Sequence, residues 1–235
     1  LAGDTPARRH PTRPKRTNPQ VPASYHVKEI FYSLQGEGAR TGRAAVFCRF
    51  AGCNLWSGRE QGRARALCTF CETDFRGTTG AGGGRFGTAG QLADAIEAIW
   101  GGGRGPGIQP YAVLTGGEPL LQLDEALITA LHVLGFEGAV ETNGTRPVPP
   151  GLDWLCVSPK AGVGLVLRAG DERKLVSPQA GAEPEVYAGL AFRHFFPQPL
   201  GGPAQVAHTR QALAYCLAHP QWRLSLQTHK LLGIP

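Results

Sequence analysis

The chain has 235 residues, of which 42% are apolar and 18% are charged, and its formal net charge is +6 at pH 7. This length suits one domain with a sizeable core, and the apolar fraction is typical of globular proteins. No window approaches the roughly 18 to 20 uncharged apolar residues of a membrane-spanning helix. Six cysteines are too few for a disulfide-dense secreted scaffold.

The positive charge is concentrated at the N-terminus. Residues 1–24 hold five basic side chains and one acidic side chain, which leaves 19 basic and 17 acidic side chains for residues 25–235. A Pro-rich basic segment cannot bury enough apolar surface to fold alone, so we expect a disordered tail or a mis-called start, followed by a single domain over 25–235. Contact of this tail with RNA is the less favoured alternative. Because the tail lacks the apolar stretch of a secretory signal, a cytoplasmic location is expected.

Predicted strands and helices alternate along the chain. In the first half, strands are predicted at 26–32, 44–50 and 111–115, helices at 91–100 and 123–134, and loops at 34–43 and 78–87. In the second half, strands are predicted within 152–157 and at 138–142, 172–177, 190–196 and 222–227, with a helix at 205–218. This alternation favours right-handed βαβ units and a parallel sheet.

Polar segments follow five of the predicted strands. They are TGGEP (115–119), ETNG (141–144), SPK (158–160), QPLGG (198–202) and QTHK (227–230). In α/β barrels and open α/β sheets, ligands bind at the carboxyl ends of the strands. Polar segments gathered at one edge therefore favour an enzyme site over a scaffold.

Three cysteines, Cys53, Cys68 and Cys71, are spaced C-x14-C-x2-C. In a reducing compartment, clustered cysteines indicate a metal site before disulfides. One alternative is a structural zinc site with Cys48 as the fourth ligand. Against it, strand alternation places Cys48 on the same face as Val46 and Phe50. A free cysteine in that environment packs as a small apolar residue, and the same interpretation is preferred for Cys156 and Cys216.

The other alternative is an iron–sulfur cluster. Thiolates hold such clusters, usually four to a cluster. With three thiolates, one iron keeps an open position at which a small molecule can bind. The aromatic Phe70 between Cys68 and Cys71 fits such a site better than a redox dithiol. The pattern alone leaves both alternatives open, and the surrounding motifs favour the cluster.

Those motifs carry a resemblance to a known family. GCNL (52–55) running into CTFCETDF (68–75), followed by a strand that ends in TGGEP, resembles the radical S-adenosylmethionine (SAM) superfamily. The usual CxxxCxxC motif is changed, because the first gap is expanded to fourteen residues. With SLQGEG (33–38), FCRFAGCNL (47–55), ETNG, SPK and QTHKLLGIP (227–235), the chain resembles the 7-carboxy-7-deazaguanine synthase family over about 25–235.

The resemblance implies a fold, cofactors and a reaction. The fold would be an α/β protein, a modified, incomplete (β/α) barrel of the radical SAM type. A [4Fe–4S] cluster on Cys53, Cys68 and Cys71 would bind and cleave SAM, and Mg²⁺ would assist. The enzyme, a carbon–nitrogen lyase, would convert 6-carboxy-5,6,7,8-tetrahydropterin to 7-carboxy-7-deazaguanine and ammonia, regenerating SAM, in queuosine biosynthesis. A flavodoxin or ferredoxin would supply electrons. Apart from the resemblance, a homodimer is expected because homodimers are common in soluble enzymes.

The resemblance also assigns residues to ligands. The predicted SAM-binding residues are Phe70, Cys71, Glu72, Gly116, Gly117, Glu141, Ser158, Pro159, Lys160, Gln198, Pro199, Leu200 and Gly201. The predicted substrate-binding residues are Leu34, Gln35, Gly36, Glu37, Arg49, Thr115, His229 and Pro235, the last through its terminal carboxylate. Thr73 is predicted to bind Mg²⁺.

Elementary chemistry agrees with several of these assignments. The planar fork of Arg49 suits a carboxylate, and Glu37 suits the N–H donors of a pterin edge. A threonine hydroxyl suits Mg²⁺. Each residue also has an ordinary interpretation: a surface arginine for Arg49, a strand-end histidine for His229, and a helix N-cap for Thr73. For TGGEP, the ordinary interpretation is a tight turn.

Two positions depart from the family pattern. Glu72 stands where an aspartate is commoner, and Gly201 stands where an acidic residue is common. The contact of that acidic side chain would be lost or taken over elsewhere. Two other functions stay open at this point: a zinc-stabilised nucleic-acid-binding module, and a radical SAM enzyme that activates a partner by making a glycyl radical.

Overall fold

One eight-stranded sheet organises residues 24–235, the part of the chain that the computed structural model describes. The strands are β1 (Tyr25–Leu34), β2 (Ala44–Phe50), β3 (Gly84–Phe86), β4 (Tyr111–Gly116), β5 (Glu137–Thr142), β6 (Trp154–Val157), β7 (Ala169–Ser177) and β8 (Ala191–Pro199). The helices are α1 (Ala89–Ile99), α2 (Glu125–Val133), α3 (Pro184–Tyr187), α4 (Gln205–Ala218) and α5 (Thr228–Leu232). The predicted N-terminal tail, apart from residue 24, lies outside the described residues.

The sheet is open and mostly parallel. Its order is β3-β1-β2-β4-β5-β6-β7-β8, in which β2 and β4 to β8 are parallel and in chain order, whereas β1 is antiparallel to both neighbours. Strands β3 and β8 form its two edges, so the barrel does not close. This confirms the predicted incomplete (β/α) barrel.

Helices α1 and α2 cover one face of the sheet, here called the outer face. Each begins at a polar N-cap: Thr88 accepts a hydrogen bond from the backbone N–H of Gln91, and Asp124 accepts one from Leu127. Such caps satisfy backbone donors that a helix start leaves free. The buried side of the helices packs on alternate residues of β2, β4 and β5. The buried core residues contributed by these strands are Val46, Cys48, Phe50, Ala112, Leu114 and Val140.

The opposite face, the inner face, carries the alternate residues of the same strands. Its lower part is apolar, with Ala45, Tyr111, Val113 and Ala139 fully buried. Its upper part carries Arg49, Thr115 and Glu141 instead, at or near the carboxyl ends of the parallel strands. Strand alternation thus separates an apolar core from a polar cavity.

Several elements differ from the predictions. The predicted strand at 222–227 is wrong, since within the described residues this segment forms a single bridge, between Trp222 and Phe195. The apolar Trp222 that suggested a strand is instead buried in the core beside β8. The Gly-rich loop contains β3, which pairs with β1. Helices α3 and α5 were not predicted. The connections β5–β6 and β6–β7 lack the helices of regular βαβ units.

Helix α5 packs against the loop that follows β1. Both the backbone N–H and the hydroxyl of Thr228 donate to the carbonyl oxygen of Gly36, at 2.9 and 3.0 Å. The C-terminal segment is therefore held at the inner face. Of the helices in 24–235, none combines the length and the apolar character needed to cross a membrane.

Candidate active site

A cavity of about 500 Å³ opens on the inner face, where the polar strand ends meet. It gathers all the predicted site residues except Pro159. Pro159 is buried behind the lining, and its carbonyl oxygen accepts a hydrogen bond from the Gln179 amide at 3.4 Å. Its neighbours Ser158 and Lys160 do line the cavity, with the Lys160 ammonium donating to the Ser158 hydroxyl at 2.8 Å.

Cys53, Cys68 and Cys71 line one side of this cavity as free thiols. Cys53 follows β2, and its Sγ accepts a hydrogen bond from the backbone N–H of Leu55 at 3.5 Å. Burial raises the pKa of Cys53 and of Cys68, and the neighbouring Cys71 raises both further.

Cys48 does not join them. It lies fully buried in the core of the outer face, between β1 and β4, and burial raises the pKa of its thiol. The structure therefore does not offer Cys48 as the fourth ligand of a zinc site. Cys156 is buried too, but it faces the cavity, and its thiol contacts Glu172 at 3.6 Å.

The donor set, three free thiols, is of the kind that holds an iron–sulfur cluster, because thiolates are the usual ligands of such clusters. Among residues 24–235, no group of three or more His, Cys, Asp or Glu side chains has the geometry that would hold one metal ion. The chain presents three thiols beside an open cavity, which matches a cluster with one exposed iron.

Gly116 and Gly117 pack directly on the loop that carries Cys53. Gly116 has a positive φ of 123°, which favours glycine, and a methyl group there would lie 2.3 Å from the Phe50 carbonyl oxygen. A methyl group on Gly117 would lie 2.0 Å from the Gly52 carbonyl oxygen and 3.0 Å from Cβ of Cys53. The two glycines allow the β4 end to approach the first cysteine.

Gly117→Ala is expected to displace the Cys53 loop. We expect a loss of about 1–3 kcal/mol in the free energy of unfolding, typical of overpacking, together with reduced iron content after reconstitution. Urea unfolding and iron analysis measure the two effects. Gly189→Ala is the matched control, because nothing lies within 4 Å of its Cβ position. Equal iron content in the two variants would contradict this account.

Glu118, the acidic residue of TGGEP, is a buried anchor rather than a ligand-binding group. Its carboxylate accepts hydrogen bonds from the Thr142 hydroxyl at 2.6 Å and from the backbone N–H groups of Asn143 and Leu120 at 2.8 and 3.0 Å. It is fully buried, and burial raises its pKa although the hydrogen bonds oppose this. The contacts fix the β4 turn to the end of β5.

A buried lysine joins the two predicted ligand sets. Lys174 projects from β7 onto the inner face, where it forms ion pairs with Glu37 and, at 3.1 Å, with Glu141. The remaining carboxylate oxygens are also bonded: Gln227 donates to Glu37 at 2.8 Å, and Gln35 donates to Glu141 at 2.9 Å. Every carboxylate oxygen in this network has a hydrogen-bond donor.

Electrostatics favours the charged forms of Lys174 and Glu37. Burial alone would lower the pKa of Lys174, but the Glu141 and Glu37 carboxylates raise it well above its ordinary value. Burial opposes ionisation of Glu37, yet the Lys174 charge holds the pKa of Glu37 below its ordinary value. An ionised carboxylate only accepts hydrogen bonds, so Glu37 presents an acceptor to the cavity.

Other predicted substrate residues meet around the same network. Arg49 donates from Nε to Glu29 at 2.7 Å, which orients the guanidinium inside the cavity lining. His229 lies on α5 rather than at a strand end, and burial lowers its pKa, which favours the neutral imidazole. A methyl group on Gly36 would lie 2.2 Å from Nδ1 of His229. The carbonyl oxygen of Pro235 accepts a hydrogen bond from the Ser33 hydroxyl at 2.9 Å.

Glu72 and Gly201, the two departures from the family pattern, lie against each other. A methyl group on Gly201 would be 2.4 Å from Oε1 of Glu72, and the Glu72 carboxylate forms an ion pair with Lys230. The Glu72 carboxylate thus occupies the space that a side chain at position 201 would fill. The adjacent Thr73 lines the cavity in a segment without helix, so the N-cap interpretation is wrong.

Sequence reasoning missed Lys174, Glu29, Gln227 and Lys230 as members of the site. Gln227 and Lys230 stand within the polar QTHK segment, from which only His229 was assigned to a ligand. Lys174 and Glu29 have no such motif. Their positions on the inner face follow only from strand register.

This fold and cavity define a radical SAM enzyme: an open, mostly parallel barrel with three cysteines beside a cavity at the strand ends. No protein-family model matches the chain. The 7-carboxy-7-deazaguanine synthase of Bordetella pertussis is 66% identical over 212 residues, which cover 90% of this chain and 100% of that protein. That of Caulobacter vibrioides is 61% identical over 212 residues, with the same 90% and 100% coverage.

A solved structure agrees with these relatives. The crystal structure of QueE from Escherichia coli matches with a TM-score of 0.63 and 26% sequence identity, covering 87% of this chain and 94% of that one. The chain belongs to the 7-carboxy-7-deazaguanine synthase family.

Proposed function

We propose that this protein converts 6-carboxy-5,6,7,8-tetrahydropterin to 7-carboxy-7-deazaguanine and ammonia, a step of queuosine biosynthesis, with SAM used catalytically. The observation that carries the proposal is the shared cavity, in which three free cysteines stand beside both predicted ligand sets. Membership of the 7-carboxy-7-deazaguanine synthase family supports the same reaction.

A [4Fe–4S] cluster bound by Cys53, Cys68 and Cys71 would supply the electron that cleaves SAM. The protein's own task is to bind and orient the two ligands and to limit access of water. Gly116, Gly117, Ser158 and Lys160 are among the proposed SAM contacts; the backbone of the two glycines can approach a ligand closely because they carry no side chain.

The substrate would bind on the other side of the cavity. Arg49 would hold the pterin carboxylate, since its planar guanidinium can donate to both oxygens. Glu37, kept ionised by Lys174, would accept hydrogen bonds from the N–H groups of the pterin edge. Gln35 and the neutral His229 complete this polar set. Pro235 is proposed as a further substrate contact, supported by its position in the lining.

Mg²⁺ is proposed to bind at Thr73. Thr73 lines the same cavity as the proposed substrate site, and Mg²⁺ prefers oxygen ligands while keeping several waters. The ion would neutralise charge on the substrate carboxylate.

The organisation of the protein in the cell is also proposed. Residues 25–235 would act as one catalytic domain in the cytoplasm, as a homodimer, with a flavodoxin or ferredoxin as the reductant and without nucleic-acid binding. The nearly balanced charge of residues 25–235 supports the last point, because non-specific nucleic-acid binding depends on excess positive charge.

Glu72 is proposed to take over the role of an acidic side chain at position 201. A side chain at position 201 would collide with the Glu72 carboxylate, which is one methylene too long to share this space. Gly201→Asp is therefore expected to displace that carboxylate and to raise the KM for SAM about tenfold, which corresponds to roughly 1.4 kcal/mol. The paired change Glu72→Asp with Gly201→Asp is expected to recover most of the loss. Steady-state kinetics with varied SAM decide the matter, and an unchanged KM in the single variant would contradict the assignment.

The direct test of the proposed function is turnover. The anaerobically reconstituted full chain, given a chemical reductant, SAM, Mg²⁺ and the tetrahydropterin, is expected to release 7-carboxy-7-deazaguanine, detected by mass spectrometry, while SAM is not consumed in proportion. Cleavage of SAM without this product would contradict the substrate assignment and leave the radical SAM class intact.

A further inference from the structure

The long insertion between Cys53 and Cys68 folds back on itself. Its middle forms a 3-10 helix, Glu60–Arg65. At its base, the Leu55 carbonyl oxygen accepts hydrogen bonds from the backbone N–H groups of Leu67 and Cys68, at 3.1 and 3.3 Å. The two ends of the insertion are therefore joined, which brings Cys53 and Cys68 to the same side of the cavity despite their separation in sequence.

The segment that carries Cys68 and Cys71 lacks regular structure of its own. Residues 68–76 contain neither helix nor strand, so no ladder of backbone hydrogen bonds fixes the spacing of the two thiols. Positions of cysteine ligands in such a segment depend on contacts from elsewhere.

Arg63 supplies such contacts from the insertion. Its Nη1 donates to the carbonyl oxygens of Thr69 and Cys71, both at 3.0 Å, and its Nε donates to Glu60 at 2.8 Å. The two carbonyl groups lie on either side of Phe70, so one guanidinium joins the residue after Cys68 to Cys71 itself. Hydrogen bonds from a charged donor are stronger than neutral ones.

Arg63 is in turn held by an aromatic platform. Its guanidinium carbon lies 4.1 Å from the centroid of the Trp56 ring. Trp56 is buried and packs edge-to-face on buried Phe75, with ring centroids 5.6 Å apart. A guanidinium stacked on a fixed aromatic ring loses little further freedom when it donates hydrogen bonds. The platform thus sets the position of the clamp.

We propose that Arg63 is a positioning residue for the iron–sulfur cluster. In this proposal, the insertion places the Arg63 guanidinium on the Thr69 and Cys71 carbonyl groups. This inference rests on the proposed function, since it presumes a cluster on the three cysteines. Arg63 fixes the ligand backbone and touches neither substrate nor SAM in this account.

The test is the rate at which the reconstituted full chain loses iron to an excess of EDTA under anaerobic conditions. Arg63→Gln is expected to lose iron about tenfold faster than the unaltered protein, since removal of a group that orients a ligand typically costs 10- to 100-fold in metal affinity. Arg63→Lys, which keeps the charge and can donate to one carbonyl, is expected to recover part of the difference.

Arg65→Gln is the matched control. Arg65 belongs to the same 3-10 helix and is exposed, and its side chain makes no hydrogen bond to any residue within 24–235. It is expected to lose iron at the unaltered rate, although it removes the same charge. Thermal unfolding of each apo chain checks that the fold is kept, and Arg63→Lys decides the question if Arg63→Gln does not fold.

Two results would overturn the proposal. One is equal iron loss in Arg63→Gln and the unaltered protein. The other is the same acceleration in Arg65→Gln, which would make the effect one of general charge. A protein that holds no cluster before any substitution would instead overturn the proposed function itself, so the two failures are distinguishable.

Discussion

Lys174→Met is expected to lower the free energy of unfolding by about 3 kcal/mol and to reduce turnover at least about 100-fold, or roughly 2.7 kcal/mol of transition-state stabilisation. The side chain of Lys174 is 5% exposed and pairs with two carboxylates. Without it, Glu37 and Glu141 face each other with no cation between them. Removing one member of a buried ionic network costs more than the network contributes when intact, because the remaining charges stay desolvated.

The loss of activity has the same cause. A carboxylate without its cation takes up a proton, and protonated Glu37 would donate where the proposed substrate also donates. Turnover is therefore expected to fall even under conditions in which Lys174→Met is folded. Urea unfolding and the product assay, carried out on the same preparation, measure the two effects.

Two further variants sharpen this prediction. Lys174→Met combined with Glu37→Gln is expected to be more stable than Lys174→Met alone, because one uncompensated charge is removed. Lys230→Met is the control: Lys230 pairs with Glu72, but its side chain is 42% exposed, and exposed ion pairs contribute about 0–1 kcal/mol. A Lys174→Met protein as stable as the unaltered one would show that the network does not stabilise the fold.

Cys71→Ser is expected to abolish product formation, with a loss of at least about 1,000-fold, or roughly 4 kcal/mol. Serine keeps the size of the side chain and removes the thiolate that binds iron. The free energy of unfolding of the apo chain should change little, since Cys71 lies in a segment without regular structure at the cavity wall. Iron analysis after reconstitution and the product assay measure the effect.

Cys48→Ala provides the opposite pattern and serves as the control for Cys71→Ser. It removes a sulfur atom from the outer-face core and is expected to lower the free energy of unfolding by about 1 kcal/mol. Iron content and turnover should be retained, because Cys48 lies in the core away from the three cavity cysteines. If Cys48→Ala lost its metal as Cys71→Ser does, the four-cysteine zinc alternative would regain support.

Strand alternation predicted which side chains of a strand face the cavity and which face the core. In β2 it separated Cys48, which is buried in the outer-face core, from Arg49, which lines the cavity. The parallel order of β4, β5 and β6 then brought TGGEP, ETNG and SPK to one edge, as expected for strands joined in chain order. These features depend on local pattern and topology, which the sequence carries directly.

Other features depend on contacts between segments distant in sequence. Lys174, within ERKLVS, has the pattern of a solvated strand, and it is buried because the loop after β1 and the end of β5 bring Glu37 and Glu141 over it. The segment 222–227 has the pattern of a strand, but only two of its backbone N–H groups, at Arg223 and Ser225, bond β8. Long-range packing decided both, and no local pattern encodes it.

Cys53, Cys68 and Cys71 are proposed to hold a cluster whose open iron faces the ligand cavity. The most direct measurement is EPR of the reconstituted, reduced protein with and without SAM, combined with iron and sulfide analysis. We predict about four irons per chain, as a [4Fe–4S] cluster requires, and a spectrum that changes when SAM is added. One tightly held zinc, no EPR signal and no response to SAM would contradict the claim.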